Sequence, residues 1–402
     1  MKSGIQQTEK RINRGRVLQL ICTGEARSRL ELSKATGLTK MTITNAVNEW
    51  IREGWIYESE QVRTAGAGRN PAVLGLTPLS PLIIGVHLAR EHISALLCDM
   101  SLNVLRRDRI ELCGEDEATL IDKIFDIIDR LGSIGEDEKQ NGEGSAVSVG
   151  DGINGRRILG IGVSSIGPLD CQNGILLGVP NFYGIKRLEL GRMLRERYRL
   201  PVLVDNDMNL AAIAEKQFGG GRPLDDFLYV GITHGIGAGI IYDSRLLHNS
   251  GMTGEIGHMS VSWNGEPCVC GSRGCLEGYA SVPVVLERIE REIGLKLTFE
   301  EACASENKGV RAIMDDVCEC ISTAFVGLVN ILAPQAVFIG HEGACFSDEV
   351  LEHIEENVNS RSLSGRQRSV SVSRSAFGEH AALFGSACGI LERVFTGRDI
   401  PL

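Results

Sequence analysis

Three thiols and one imidazole stand out among the 402 residues: Cys268, Cys270 and Cys275, interspersed with Gly271 and Gly274, and His258 ten residues before the first of them. Thiolates and a neutral imidazole nitrogen are ligands that zinc favours, and four donors with none to spare suit a closed tetrahedral, structural site. The glycines let a short knuckle turn tightly enough to aim three sulfurs at one point. A redox pair at Cys268 and Cys270 is the weaker alternative, because a single residue separates them. Most of the other nine cysteines stand singly in apolar stretches, for example Cys22, Cys98 and Cys388, as buried thiols in a reducing compartment do.

The elements that must carry such a site fall into a head and a body. The length favours two or three domains, and 43% hydrophobic with 23% charged residues is ordinary for a globular protein. Neither a signal-peptide core nor an apolar run of about 18–20 residues is present, so a cytoplasmic protein is expected. The net charge of −10 is uneven. Residues 1–70 hold 12 Lys and Arg against 7 Asp and Glu, a balance of +5, whereas the remainder holds 30 against 45, a balance of −15. A basic head on an acidic body fits a head that binds nucleic acid.

Within the head, Ile12, Val17, Leu18, Leu20 and Ile21 predict a first helix. Ser28 with Glu31 forms a capping box for a second, residues 29–36, and Thr39 caps a third, residues 40–52, beyond the turn at Gly37-Leu38. Ile43, Val47 and Ile51 are its predicted inward positions. Lys40, Met41, Thr42, Thr44 and Asn45 face outward at its start, where short polar side chains read base edges in a major groove. Strands at 55–57 and 72–74 flank a small-residue loop ending in Arg69-Asn70-Pro71, a wing. The expected boundary is a head at 1–77 and a body at 78–402. In the body, apolar strands near 82–86, 93–99, 159–164, 202–205, 227–232, 239–242, 336–340 and 369–373 alternate with helices near 119–131, 209–218, 317–332 and 379–395, an α/β pattern.

The chain resembles the ROK family of repressors and sugar kinases over essentially its whole length. In the head the matching residues are Asn13-Arg14-Gly15-Arg16-Val17-Leu18, Ser28-Arg29-Leu30-Glu31-Leu32, Thr36-Gly37-Leu38-Thr39 and Gly66-Ala67-Gly68-Arg69. In the body they are Gly162-Val163, Gly167-Pro168, Pro180-Asn181, Asp205-Asn206-Asp207, Gly235-Ile236-Gly237-Ala238-Gly239 and Gly254-Glu255-Ile256-Gly257-His258-Met259, followed by the cysteine knuckle through Leu276-Glu277. The resemblance implies an N-terminal winged helix-turn-helix and a two-lobed, actin-like (ribonuclease-H-like) domain with a zinc knuckle. Its lobes would be about 78–205 with the C-terminal helix, and 206–380. It implies sugar contacts at Asn206, Asp207, Glu255, His258 and Glu277, whose carboxylates and amides suit adjacent hydroxyls, and zinc at His258, Cys268, Cys270 and Cys275. DNA contacts are expected at Arg29, Thr39, Lys40, Thr42, Thr44, Asn45 and, in the minor groove, Arg69.

The family's kinases end their first body strand in Asp-x-Gly-x-Thr, where this chain has His87, Ala89 and Glu91. A carboxylate facing a triphosphate repels it, and Ala89 obstructs the close backbone approach that glycine allows. A Gly-Gly pair that receives the nucleotide reads Gly340-His341. The resemblance therefore points to a sugar-responsive regulator, a repressor of carbohydrate-metabolism genes without kinase activity. Its partners would be double-stranded operator DNA, a monosaccharide effector and a second copy, as a homodimer or homotetramer. The alternative is an active sugar kinase with Asp207 as base.

Overall fold

The computed structural model describes residues 2–59, 72–132, 153, 155–178, 182, 184–248 and 253–398, with side chains from Thr8 onward. Arg69, the loop around it and Pro180-Asn181 lie outside the described residues. The chain divides into two compact units, residues 1–205 with 386–402, and residues 206–385.

The first unit opens with helices α1 (Lys2–Cys22), α2 (Arg29–Thr36) and α3 (Lys40–Arg52) and an antiparallel pair, β1 (Ile56–Glu58) and β2 (Leu74–Leu76). Ser28 Oγ accepts the Glu31 N–H at 3.3 Å, while the Glu31 carboxylate accepts the Arg27 N–H at 2.7 Å, one residue before the cap. Thr39 Oγ1 accepts the Thr42 N–H at 3.2 Å and starts α3. The buried face of α3 is Ile43, Ala46, Val47 and Trp50, so the inward stripe ends at Trp50, and Ile51 is half-buried. Trp50 is fully buried, stacks on Trp55 at 4.7 Å, lies under the Arg14 guanidinium at 4.3 Å and donates from Nε1 to the Arg14 carbonyl at 3.1 Å. Removing the α2 cap with Ser28→Ala should cost about 1 kcal/mol, read as an earlier thermal or urea transition of the head. An unchanged transition would show that water replaces the cap.

Beyond the head lie β3 (Leu82–Leu88), β4 (His92–Asp99), β5 (Val104–Glu111), α4 (Glu117–Gly132), β6 (Ile158–Ser165), a small sheet of β7 (Leu169–Asp170), β8 (Ile175–Leu177) and β9 (Arg187–Leu188), then α5 (Leu190–Tyr198) and β10 (Val202–Asn206). The main sheet has the order β10-β6-β3-β4-β5, with β3, β4 and β5 antiparallel and β6 parallel to β3. Every residue of β3 and β6 is buried, as expected of central strands covered on both faces.

The second unit contains α6 (Asp207–Phe218), β11 (Phe227–Ile232), β12 (Ile236–Tyr242), β13 (Arg245–Leu246), α7 (Glu277–Ala280), α8 (Val282–Ile293), α9 (Phe299–Cys303), α10 (Lys308–Leu332), β14 (Ala336–His341), α11 (Asp348–Arg361), α12 (Leu363–Gln367), β15 (Ser371–Arg374) and the start of α13 (Ala381–Phe395). Its sheet, β13-β12-β11-β14-β15, repeats the connectivity of the first: an antiparallel meander with two further strands on the opposite side of the first strand. The long α10 and the apolar faces of β11 and β14 share one core that includes Leu228, Val230, Phe325 and Ile339. In the first unit, the end of α13 meets α1, where a Cβ at Gly15 would strike the Phe395 carbonyl. Among the described residues, no helix is long and apolar enough to cross a membrane.

Candidate functional site

The four predicted metal ligands come together. His258 Nδ1 lies 3.7 Å from Cys268 Sγ, Cys270 Sγ lies 3.6 Å from Cys275 Sγ, and one ligand atom from each of the four falls within 4.8 Å of every other. Sulfurs bound at about 2.3 Å around a tetrahedral zinc stand about 3.7 Å apart, so the group has the right size. Backbone bonds shape it: Cys268 N–H donates to the Ser272 carbonyl at 2.9 Å, and Leu276 N–H to Met259 at 2.9 Å. Burial pushes the Cys275 thiol up to about 12, a bias that a bound cation would reverse, whereas the Ser272 backbone N–H beside Cys270 holds that thiol below its ordinary value.

The predicted ligand-binding residues sit on three pieces of the second unit that meet on β12. Asn206 caps α6, its Oδ1 accepting from Met208 N at 3.0 Å and Asn209 N at 3.4 Å. Asp207 is the first helical residue and is buried, with Oδ1 accepting Met208 N–H at 2.9 Å. One residue on, the Met208 side chain lies against Gly237, where a Cβ would be 3.0 Å from its Cγ. Glu255 is exposed and leads the 3₁₀ turn Ile256–His258, and the neighbouring Gly254 carbonyl accepts the Ala238 N–H of β12 at 2.8 Å. Glu277 starts α7, its Oε2 accepting the Ile236 N–H at 3.3 Å, and a Cβ at Gly235 would come within 2.7 Å of that oxygen. The glycine run 235–239 therefore has a packing reason of its own. It lets a helix, a 3₁₀ turn and a carboxylate approach one strand closely.

The side of the first unit that would correspond to a phosphate-binding turn is a tight β3–β4 connection. His87 is buried and packs edge-on to His92 at 5.8 Å, the Ala89 N–H donates to the His92 carbonyl at 3.0 Å, and Glu91 is exposed. In the second unit, His341 ends β14 with φ 55° and ψ −142°, a backbone conformation that costs a side-chain-bearing residue roughly 1–3 kcal/mol. Its ring accepts no exposure to solvent beyond 6% and lies 3.0 Å, through Nδ1, from the Tyr229 hydroxyl. The buried Trp50 and this histidine were not singled out as functional by their local sequence. The histidine's one signal was its place after Gly340.

In the head, Thr39, Lys40, Met41 and Asn45 are exposed and Thr42 and Thr44 half-buried along the start of α3. Arg29 is different from the others. Its guanidinium pairs with both Glu58 oxygens at 2.8 Å and donates to Asn48 Oδ1 at 2.9 Å and the Thr44 carbonyl at 3.4 Å. It is engaged as a clamp joining α2, α3 and β1. Arg69 lies outside the described residues.

Comparison with known proteins gives a consistent set of matches. The ROK family profile matches residues 83–392. The xylose repressor of Caldicellulosiruptor bescii is 29% identical over 394 residues, covering 94% of each chain. A crystal structure described as a ROK family transcriptional regulator, homolog of the E. coli MLC protein, superposes with a TM-score of 0.79 at 25% identity, covering 97% of this chain and 98% of its own. A ROK family glucokinase from Streptomyces griseus shares the fold at a TM-score of 0.63 and 23% identity, covering 98% of its own length and 76% of this chain.

Proposed function

Because the chain belongs to the ROK family, we propose that it is a sugar-responsive, DNA-binding transcriptional repressor, with a winged helix-turn-helix in residues 1–77 and a zinc-braced monosaccharide site in the second unit. The observation that carries this reading is coverage. The repressor and regulator matches extend over 94% and 97% of the chain, whereas the glucokinase is matched almost entirely within 76% of it. The quarter without a kinase counterpart is the size of a DNA-binding head.

Thr39, Lys40, Thr42, Thr44 and Asn45 would enter the major groove and Arg69 the minor groove, with Arg29 acting by holding α3 to β1. Two heads on one pseudo-palindrome require a dimer. In the second unit, Asn206, Asp207, Glu255 and Glu277 would accept and donate to neighbouring sugar hydroxyls. His258 would hold zinc through Nδ1, the nitrogen facing Cys268, and offer Nε2–H to the sugar. Zinc would supply a cross-link that keeps Glu277 and the 255–258 turn in place.

Kinase activity is disfavoured by the same chemistry. The Ala89 N–H is spent on the His92 carbonyl, Glu91 brings negative charge, and His341 stands where a second glycine would be. The full chain should bind its operator and residues 78–402 should not, while Asn45→Ala should lose about 1–3 kcal/mol and change base preference. Operator binding retained without the head would overturn the reading. In an ATP-coupled assay with common hexoses and pentoses, no turnover is expected. Turnover that depends on Asp207 would instead establish the kinase.

A further inference from the structure

His341 occupies a slot in the second unit that is built around its ring. A Cβ at Gly231 would lie 2.8 Å from His341 Nδ1 and would strike the Met208 sulfur, and a Cβ at Gly340 would strike the Tyr229 hydroxyl. Two glycines on adjacent parallel strands, paired as Gly231 with Gly340, thus make room for Met208, Tyr229 and the imidazole together. The ring is held there although its backbone adopts a conformation that favours glycine, so the packing around it over-determines a strained residue.

The chemistry of the slot sets the protonation of the ring. Burial raises the Tyr229 hydroxyl well above its ordinary value, helped by the negative charges of Glu215, Asp207 and Glu342, so the phenol keeps its proton. A protonated phenol 3.0 Å from Nδ1 is placed to donate to it, the arrangement in which the imidazole proton sits on Nε2. Burial also pulls the His341 pKa down to about 4, so the ring is neutral at physiological pH. One of its ring nitrogens lies within 4.8 Å of an Asp207 carboxylate oxygen, inside the reach of a single bridging water.

We propose that His341 is a positioning residue for Asp207: fixed by Tyr229 as the neutral Nε2–H tautomer, it orients the Asp207 carboxylate toward a sugar hydroxyl and fills the space a glycine would leave for a nucleotide phosphate. The inference rests on the sugar-site reading above only for what Asp207 is oriented toward. The proximity of His341 to Asp207, within 4.8 Å, stands on the geometry.

Two measurements on the full chain separate these layers. With ¹⁵N-histidine labelling, His341 should show a single Nε2–H tautomer that does not titrate between about pH 5 and 8. Asp207→Asn should move its ring resonances, and Tyr229→Phe, which keeps the buried ring and removes only the hydroxyl, should mix the tautomers. An imidazole that titrates near its ordinary value, or that ignores Asp207→Asn, overturns the proposal. In the second measurement D-xylose and D-glucose are titrated calorimetrically. Tyr229→Phe and His341→Phe should weaken binding of the sugar that the unaltered chain takes up by about 10- to 100-fold, the loss expected when a hydrogen-bonded charged group is freed. A purely structural role would lower the unfolding temperature and leave the Kd unchanged, and that result also overturns it. A chain with the expected resonances that binds no monosaccharide overturns the sugar reading and leaves the pairing in place.

Discussion

The Cys270→Ser chain is expected to emerge from purification without its metal and with a second unit at least about 3 kcal/mol less stable. Cys270 is exposed, and an exposed substitution of similar size normally changes stability by no more than about 0.5 kcal/mol. A large loss there cannot come from packing. It would come from the metal, because a serine hydroxyl is a poor substitute for a thiolate and structural zinc contributes its binding free energy to folding, about 10–16 kcal/mol in isolated finger peptides. The second unit has its own core of α10, β11 and β14, so a fraction of that figure is the reasonable expectation. For a body of this size, about 3 kcal/mol lowers the transition by roughly 6–12 °C. Metal analysis of unaltered protein should find about one zinc per chain, and a chelator should reproduce the mutant's melting curve. A variant that melts with the unaltered chain, or an unaltered chain free of zinc, would sink the metal site.

Asp207→Ala should silence the response to sugar while sparing DNA binding in its absence. An effector that couples to a second site typically supplies 1–3 kcal/mol, so the fitting sugar should shift operator affinity roughly 5- to 150-fold in the unaltered chain. The variant should show no shift. The start of α6 should survive, because Asn206 and not Asp207 is the N-cap and its Oδ1 still accepts from Met208 and Asn209. Glu255→Ala should behave alike, since that side chain is exposed and caps nothing. Helix α13 holds residues of both units. Its first turns pack so closely on α6 that a Cβ at Gly385 would strike the Leu210 carbonyl, and its last turn abuts Gly15 of α1. Fluorescence anisotropy on an operator fragment, with and without a panel of monosaccharides, measures both quantities. If the two variants lost DNA binding outright, or responded as the unaltered chain does, the second unit would not be the sensor and control by a protein partner would take precedence.

The parts of this protein that could be read from the sequence are those whose partners are neighbours along the chain. Cys268, Cys270 and Cys275 lie within eight residues, so their types and spacing nearly dictate that the sulfurs converge, and they do. The caps at Ser28 and Thr39 act on the third N–H that follows and were legible for the same reason. Strand β11 was legible to the residue, because six consecutive apolar or small residues between turn signals leave a buried strand little freedom of phase. Where apolar patterning was weak it failed. Strand β5, Val104-Leu105-Arg106-Arg107-Asp108-Arg109-Ile110-Glu111, lies at the edge of its sheet, carries charge on both faces and has no fully buried residue, so nothing local marked it as a strand.

Only the tertiary structure decided the rest. Trp50 and Ile51 are adjacent on α3 and about 100° apart around it, and the packing of Arg14 and Trp55 chose Trp50 for the interior. Arg29 is an expected DNA contact from its place in the head, and only the fold shows its guanidinium paired with Glu58, 29 residues away. The glycines at 235–239 stand in the sequence only as a matching run, and it took Met208, Gly254 and Glu277 arriving from three directions to show what their lack of side chains accommodates. His341 was seen in sequence as a missing glycine, but its pairing with Tyr229 lies 112 residues away. Short-range spacing specifies geometry because the backbone offers few conformations over a handful of residues. Across a hundred residues the same side chains have many possible neighbours, and the close packing of the core selects among them.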